Sequence, residues 1–295
     1  MQRVLSLIMT LFLMLQTLFG LTGEQYKVYA NIRYGDAQRD LVTIYVPNKA
    51  YSRSYNGCIL YLHGGSWMHG DKEDMAHHCQ KMAMKGYITA TMSYSLCTDG
   101  KATNVTIYTM MDEVTQCIQA IRKFGNRRGL NITKLATSGY SAGAHISMMY
   151  SYSRPEDSPI ELAFTANRAG PSDLTTKVWG FDSYRYTTML TGVTVTDEMK
   201  RNGEADRLAR EISPVTYVNK NTLPSIFAYG GSDPQVTSGN REAMEKVFRQ
   251  NFGENGNHYE YIFFPMSGHA LMLDPVSEAE YDDAVCRYCR SYFGY

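Results

Sequence analysis

Neither sign of charge dominates this chain of 295 residues: 29 basic side chains balance 29 acidic ones, and charged residues make up only 20% of the total. A neutral surface supplies no field to draw in nucleic acid or an anionic membrane. No basic stripe with interleaved aromatics is present either, so a nucleic-acid partner is not expected. Internal repeats, low-complexity tracts and Pro/Gly-rich linkers are also missing, which argues for one folding unit. Cysteine is sparse, with Cys58, Cys79, Cys97, Cys117, Cys286 and Cys289 the only six. That is too few for a disulfide-dense scaffold, and Cys58 and Cys117 fall in apolar patterns where buried thiols are ordinary. Cys286 and Cys289 form a single C-x-x-C, and a zinc site would need a second pair. His77 and His78 are adjacent, and neighbours on a helix point in different directions. No metal and no organic cofactor is expected. Tryptophan is rare, with two residues, against 23 tyrosines that suit half-buried walls and surfaces for sugars or aryl groups. Nothing in the pattern specifies an oligomeric state.

What the chain does have is, first, an uncharged apolar run over 4–21 behind Arg3. It reads as a secretory signal spanning 1–23, with Gly20 or Gly23 as the small residue at which cleavage would occur. The expected location is therefore secreted or extracytoplasmic. The alternative is a retained anchor formed by residues 4–21, the only membrane contact the sequence suggests.

With 44% hydrophobic residues, the remainder can bury a large core. Alternating stretches at 27–34 and 41–46 predict an antiparallel hairpin about Gly35 and Asp36. Apolar strands follow at 58–62, 87–92, 135–138, 163–167, 225–229 and 259–264. Helical periodicity at 105–124, 142–152, 239–251 and 277–292 alternates with them. The expected fold class is α/β: a mainly parallel, doubly wound sheet with helices on both faces, over 24–295, with its active site at the carboxyl ends of the strands. The stretch 171–224 interrupts the rhythm and reads as a small cap.

Gly139-Tyr140-Ser141-Ala142-Gly143 joins a strand to a helix, the setting of a nucleophile elbow. A serine hydroxyl is a weak nucleophile and leaves an oxyanion when it attacks, so it needs a base and N–H donors. His63-Gly64-Gly65-Ser66-Trp67 ends the strand at 58–62 and delivers a glycine loop to the same rim. Either Gly65 or Ser66 would donate there, with the N–H of Ala142 as the remaining donor.

On these anchors, together with Gly170-Pro171-Ser172-Asp173, Ser213-Pro214-Val215-Thr216, Gly230-Gly231-Ser232-Asp233-Pro234-Gln235-Val236 and Ser267-Gly268-His269, the sequence resembles the esterase/lipase-like α/β hydrolases. The resemblance is greatest to small carboxylesterases of the feruloyl-esterase-like and kynurenine-formamidase-like groups. It covers most of the chain after residue 40. One departure is Ser66, which stands at the third glycine of the lipase H-G-G-G pattern. The resemblance implies a triad in the order serine, acid, histidine. His269 follows the strand 259–264 and is the expected base, whereas His258 precedes it and belongs at the opposite rim. Asp233 is the expected acid, with Asp173 the alternative. His145 is expected to pack or hydrogen-bond beneath the site, and His63 to brace the oxyanion loop. Trp67 is a candidate substrate contact, and Trp179, Phe181, Tyr184 and Tyr186 are candidates for a pocket wall.

The implied activity is that of a serine carboxylesterase acting on small or carbohydrate-linked esters through an acyl-enzyme. Cleavage of a small amide such as a formamide is the alternative. A peptidase of the prolyl-oligopeptidase type shares the elbow, but the chain has no room for its propeller. A silent binding protein on the same fold would be expected to have lost the serine or histidine.

Overall fold

The computed structural model describes residues 25–54, 56–254 and 258–294, so the apolar segment read as an export signal or anchor lies outside it. Eight strands build one sheet: β1 (Tyr26–Arg33), β2 (Leu41–Pro47), β3 (Asn56–Leu62), β4 (Ile88–Met92), β5 (Ile132–Tyr140), β6 (Glu161–Arg168), β7 (Ser225–Gly230) and β8 (Tyr259–Phe264). Their order is β1-β2-β4-β3-β5-β6-β7-β8. β1 and β2 pair antiparallel, as does β2 with β4, and every later pairing is parallel.

The central strands carry apolar residues on both faces because helices cover both. In β3, Cys58, Leu60 and Leu62 join one core cluster while Ile59 and Tyr61 join the other. α2 (Ile107–Arg128) brings Met110, Val114, Cys117 and Ile121 to the first face, one stripe at helical spacing. Thr106 starts that helix by accepting the amide of Thr109, and Gly129 ends it at φ 66°. α3 (Ala142–Ser153) lies on the same face. α1 (Ala76–Met84) and α9 (Pro275–Phe293) cover the other, where Cys79, Met82, Tyr288 and Phe293 are buried.

Outside the excursion at 171–224, α1 is the helix the sequence pattern does not announce. Its buried stripe is Cys79, Met82 and Ala83, too weak beside His77, His78 and Lys81 to stand out as an apolar period. β5 also runs three residues further back than the predicted strand.

The excursion at 171–224 folds as α4 (Thr176–Trp179), α5 (Asp182–Thr191), α6 (Asp197–Asn202), α7 (Glu204–Glu211) and a 3₁₀ turn at Pro214–Tyr217. Leu174, Met189, Leu190 and Ile212 from this stretch are wholly buried in the same cluster as Leu60 and Leu62. It is therefore a wall built into the main core. α8 (Ser238–Phe252) follows β7.

Candidate active site

The loops that follow β3, β5, β7 and β8 meet at one rim, and β5 hands the chain to α3 through Ser141. Ser141 has φ 53° and ψ −120°, a sharp reversal that presents its hydroxyl at the start of the helix. The flanking glycines are demanded by crowding. A Cβ on Gly139 would lie 2.3 Å from the carbonyl carbon of Gly143, and one on Gly143 would lie 2.2 Å from the carbonyl oxygen of Leu62.

From the loop after β8, His269 reaches Ser141, with Nε2 2.8 Å from Oγ. Its Nδ1–H donates to Oδ2 of Asp233 at 2.8 Å. Oδ1 of Asp233 accepts the amides of Gln235 and Val236 at 2.8 and 2.9 Å, so its side chain, 1% exposed, is fixed on both oxygens. Asp233 thus holds His269 with Nε2 turned toward the serine hydroxyl. Asp173 is engaged elsewhere: its Oδ1 accepts the amide of Thr175. His258 lies at the other end of the sheet, donating to the carbonyl of Thr222 and stacked on Phe252.

Across from His269 runs the loop 63–70. Gly65 adopts φ 114°, where a Cβ would collide with the carbonyl oxygen of His69 at 2.3 Å, and Ser66 and Trp67 follow at φ 52° and 62°. Three successive left-handed residues hold the loop in a tight curl. The carbonyl of Gly65 accepts the amides of Met68 and His69. The amides of Gly65 and Ser66 donate to no acceptor among the described residues, and that of Ala142, at the first position of α3, has no partner within its helix. His63 braces the loop: its Nδ1–H donates to the carbonyl of Gly64, its ring stacks 4.1 Å from that of Tyr94, and burial lowers its pKa.

Beneath the nucleophile, His145 accepts the indole N–H of Trp67 on Nδ1 at 3.2 Å and donates from Nε2 to the carbonyl of Ile212 at 2.8 Å. It ties the loop 63–70, α3 and the excursion together, and burial drives its pKa down to about 4. Trp67, expected as a substrate contact, is 2% exposed and committed to this bond, although its edge still borders a cleft.

That cleft, of about 240 Å³, opens over Ser141 between Ser66, Pro171, Trp179, Tyr186 and the turn after Asp233. Trp179 and Tyr186 occupy the wall expected of them. Phe181 does not: it is 89% exposed, with its ring 6.3 Å from that of Tyr184, which itself lies under Lys200. A bulky aromatic at 181 gave no sign in sequence of pointing outward. A second cleft, of about 830 Å³, lies on the α1 and α9 side. It is bounded by Gly65, Tyr140, Arg168 and the residues just after His269. The Tyr140 hydroxyl donates to the carbonyl of His269 at 3.0 Å, and burial and the nearby Asp233 charge push its pKa up to about 12. Asp274 accepts the Ser267 hydroxyl at 2.5 Å and the amide of Met266, closing the loop that carries His269. Tyr140, Arg168 and Asp274 were not singled out as functional from the sequence. Only Tyr140 had a signal, as the variable residue before the nucleophile.

All six cysteines are free and buried, and no group of three potential metal ligands occurs among the described residues. No described helix is long and apolar enough to cross a membrane.

Sheet order, elbow and rim define an α/β hydrolase. The family model BD-FAE matches residues 42–248, and the chain belongs to that family. Esterase B from Lactobacillus rhamnosis, solved with an inhibitor bound, is similar in fold, with a TM-score of 0.67 at 17% identity, covering 90% of this chain and 87% of that one. A truncated carbohydrate esterase from gut microbiota is similar with a TM-score of 0.69 at 14% identity, covering 90% and 98%. In sequence, kynurenine formamidase from Salmo salar is 26% identical over 120 residues. That match spans 40% of this chain and 37% of the relative's length.

Proposed function

We propose that the protein is a serine carboxylesterase that hydrolyses small or carbohydrate-linked carboxylic esters through an acyl-enzyme. The observation that carries this reading is the unbroken chain from the Ser141 hydroxyl through His269 to Asp233, at 2.8 Å for each step. In this mechanism His269 takes the Ser141 proton as Oγ attacks the ester carbonyl. The negative charge on the carbonyl oxygen falls to the amides of Gly65 or Ser66 and Ala142, donors with no competing acceptor. His269 then gives its proton to the departing alcohol, and a water molecule, activated by the same histidine, releases the acid. Similarity to esterases in fold supports the reaction class, and the carbohydrate esterase among them supports the sugar-linked substrate.

Hydrolysis of a small amide is the second reading, favoured by the sequence match to kynurenine formamidase. A panel of acetyl, butyryl, feruloyl and acetyl-xylan esters, assayed beside an N-formyl aryl amine, separates the two. The first reading expects kcat/KM to be highest on an ester. Turnover confined to the formamide would overturn it. Ser141→Ala abolishes turnover on every substrate under either reading.

Export is the proposed setting, supported by the uncharged run at 4–21. N-terminal sequencing of protein recovered outside the cytoplasm is expected to begin near residue 24. A product found only in the cytoplasm with Met1 intact would contradict it.

A further inference from the structure

Among the described residues that border the cleft over Ser141, Asp182 alone carries a charge. It is the first residue of α5, where a negative charge suits the unpaired amides of a helix start. That role leaves the carboxylate itself uncommitted. It is exposed, and among the described residues it makes no hydrogen bond and no ion pair. Arg185, one turn along α5, lies within reach of its charge but is held by Asp99 at 2.6 Å. Two carboxylates against one guanidinium leave this edge of the cleft negative. Asp206, which accepts the Thr176 hydroxyl, is paired with Arg210. Neither Lys177 of α4 nor the pair of His269 and Asp233 is part of the lining, and the turn 234–237 brings no charge to it.

Beside that carboxylate the walls are aromatic. Tyr186 stands four residues after Asp182, so both fall on one face of α5. Its ring lies 5.0 Å from that of Trp179 at 79° and 5.4 Å from that of Trp67 at 61°. Rings set at such angles make a corner of walls where a flat stack would not. Aromatic walls with a carboxylate at their edge attract a cation, above all an alkylated ammonium whose methyl groups also pack on the rings. An anionic group is repelled by the same Asp182.

Position says which part of an ester this is. The lining includes Ser141 and does not include His269. In the proposed reaction the acyl group stays on Ser141 Oγ until water releases it, whereas the alcohol takes its proton from Nε2 of His269 and leaves. A cleft that meets the serine alone is therefore placed for the acyl group.

We propose that the cleft over Ser141 is an acyl site for a cationic, alkylated ammonium group, held by Asp182 and walled by Trp179, Tyr186 and the edge of Trp67. The inference rests on the esterase reading and names the acyl class within it. The reaction is unchanged. Oγ of Ser141 bonds to the acyl carbon, the ester C–O bond breaks, and the alcohol departs with the proton held by His269. Water then frees the acid and restores the serine.

The test uses para-nitrophenyl esters of three acids with the same methylene spacer: γ-trimethylammoniobutyrate, its uncharged tert-butyl isostere and glutarate, each corrected for its uncatalysed rate. At low salt the wild-type enzyme is expected to favour the ammonium ester over the isostere by roughly tenfold in kcat/KM, the combined value of a cation–π contact and an exposed ion pair. Glutarate is expected to be the poorest of the three, and the ammonium preference to shrink as salt is added. Asp182→Asn, confirmed folded by circular dichroism, is expected to lose most of that preference, and Asp182→Glu, which keeps the charge, to retain it. A wild type that does not favour the ammonium ester, or a folded Asp182→Asn with the wild-type ratio, overturns the inference. A second pair carries the cation on the alcohol: choline acetate and the acetate of its tert-butyl isostere. A preference confined to this pair would mean that the cleft holds the alcohol, and the acyl assignment is wrong. An enzyme that hydrolyses none of these esters, nor para-nitrophenyl acetate, fails at the esterase reading itself.

Discussion

Asp233 and Asp173 are chemically alike, and what separates them is which donors their oxygens meet. Asp233 spends one oxygen on two backbone amides and the other on His269, whereas Asp173 caps its own loop at Thr175. Asp233→Asn can present an N–H where an acceptor is required, turning the imidazole to the wrong tautomer; in a chymotrypsin-type triad the same change lowers kcat about 10⁴-fold. A loss of that order is expected for Asp233→Asn and less than about tenfold for Asp173→Asn, measured on one activated acetate with both variants confirmed folded. The reverse order would move the acid to the loop after β6. The pocket residues separate in the same way. Trp179→Ala and Tyr186→Ala are expected to shift acyl-length preference, while Phe181→Ala, exposed as it is, leaves the preference as in the wild type. A Phe181 variant that alters chain-length selection would mean the cleft extends further than these walls.

At the scale of elements, the rim depends on two short pieces of backbone. The loop 63–70 can curl as it does only because Gly65 tolerates φ 114°. Gly65→Ala would displace the loop's amides, and kcat is expected to fall about 10²- to 10³-fold, as when one oxyanion donor is removed. A normal kcat would show that the loop supplies no donor. α3 depends on His145 remaining neutral, since a proton on Nδ1 would set an N–H against the indole N–H of Trp67. Its pKa of about 4 in the folded protein lies below the unfolded value of about 6.5. The unfolded chain therefore binds more protons between these limits, and stability falls as pH drops from about 6.5 toward 4, by about 3 kcal/mol for this one group. Tm measured across that interval is expected to fall, and to fall less steeply in His145→Gln. Equal slopes for the two proteins would remove His145 as the cause.

These elements also indicate what a sequence discloses. The elbow, the glycine loop and the order of Ser141, Asp233 and His269 were legible because tight backbone geometry restricts which residues can stand there. Strands such as β3 were legible because both faces are buried. α1 was hidden by a weak stripe of Cys79, Met82 and Ala83; Trp179 and Tyr186 line the cleft as expected, but the outward direction of Phe181 follows from how α4 and α5 pack, which no local pattern records. Trp67, read as a candidate substrate contact, borders the cleft over Ser141, while the bond from its indole N–H to His145, 78 positions further along the chain, is one that no local pattern records.

Taken as a whole molecule, one sheet carries Ser141, Asp233 and His269 on loops from β5, β7 and β8 and the glycine loop 63–70 from β3, so this arrangement forms only when the parallel core is assembled. The excursion at 171–224 is anchored in that core by Leu174, Met189, Leu190 and Ile212, which makes it a fixed wall of the cleft over Ser141. The central claim is that Ser141 is an activated nucleophile in the folded enzyme. Its most direct test is reaction of the purified protein with a fluorophosphonate, followed by mass spectrometry of the digested chain. One phosphonyl adduct is expected, on Ser141, absent when the protein is heat-unfolded before the probe is added and formed far more slowly in His269→Ala. An unmodified Ser141 in folded wild-type protein, or an equal adduct in His269→Ala, would contradict it.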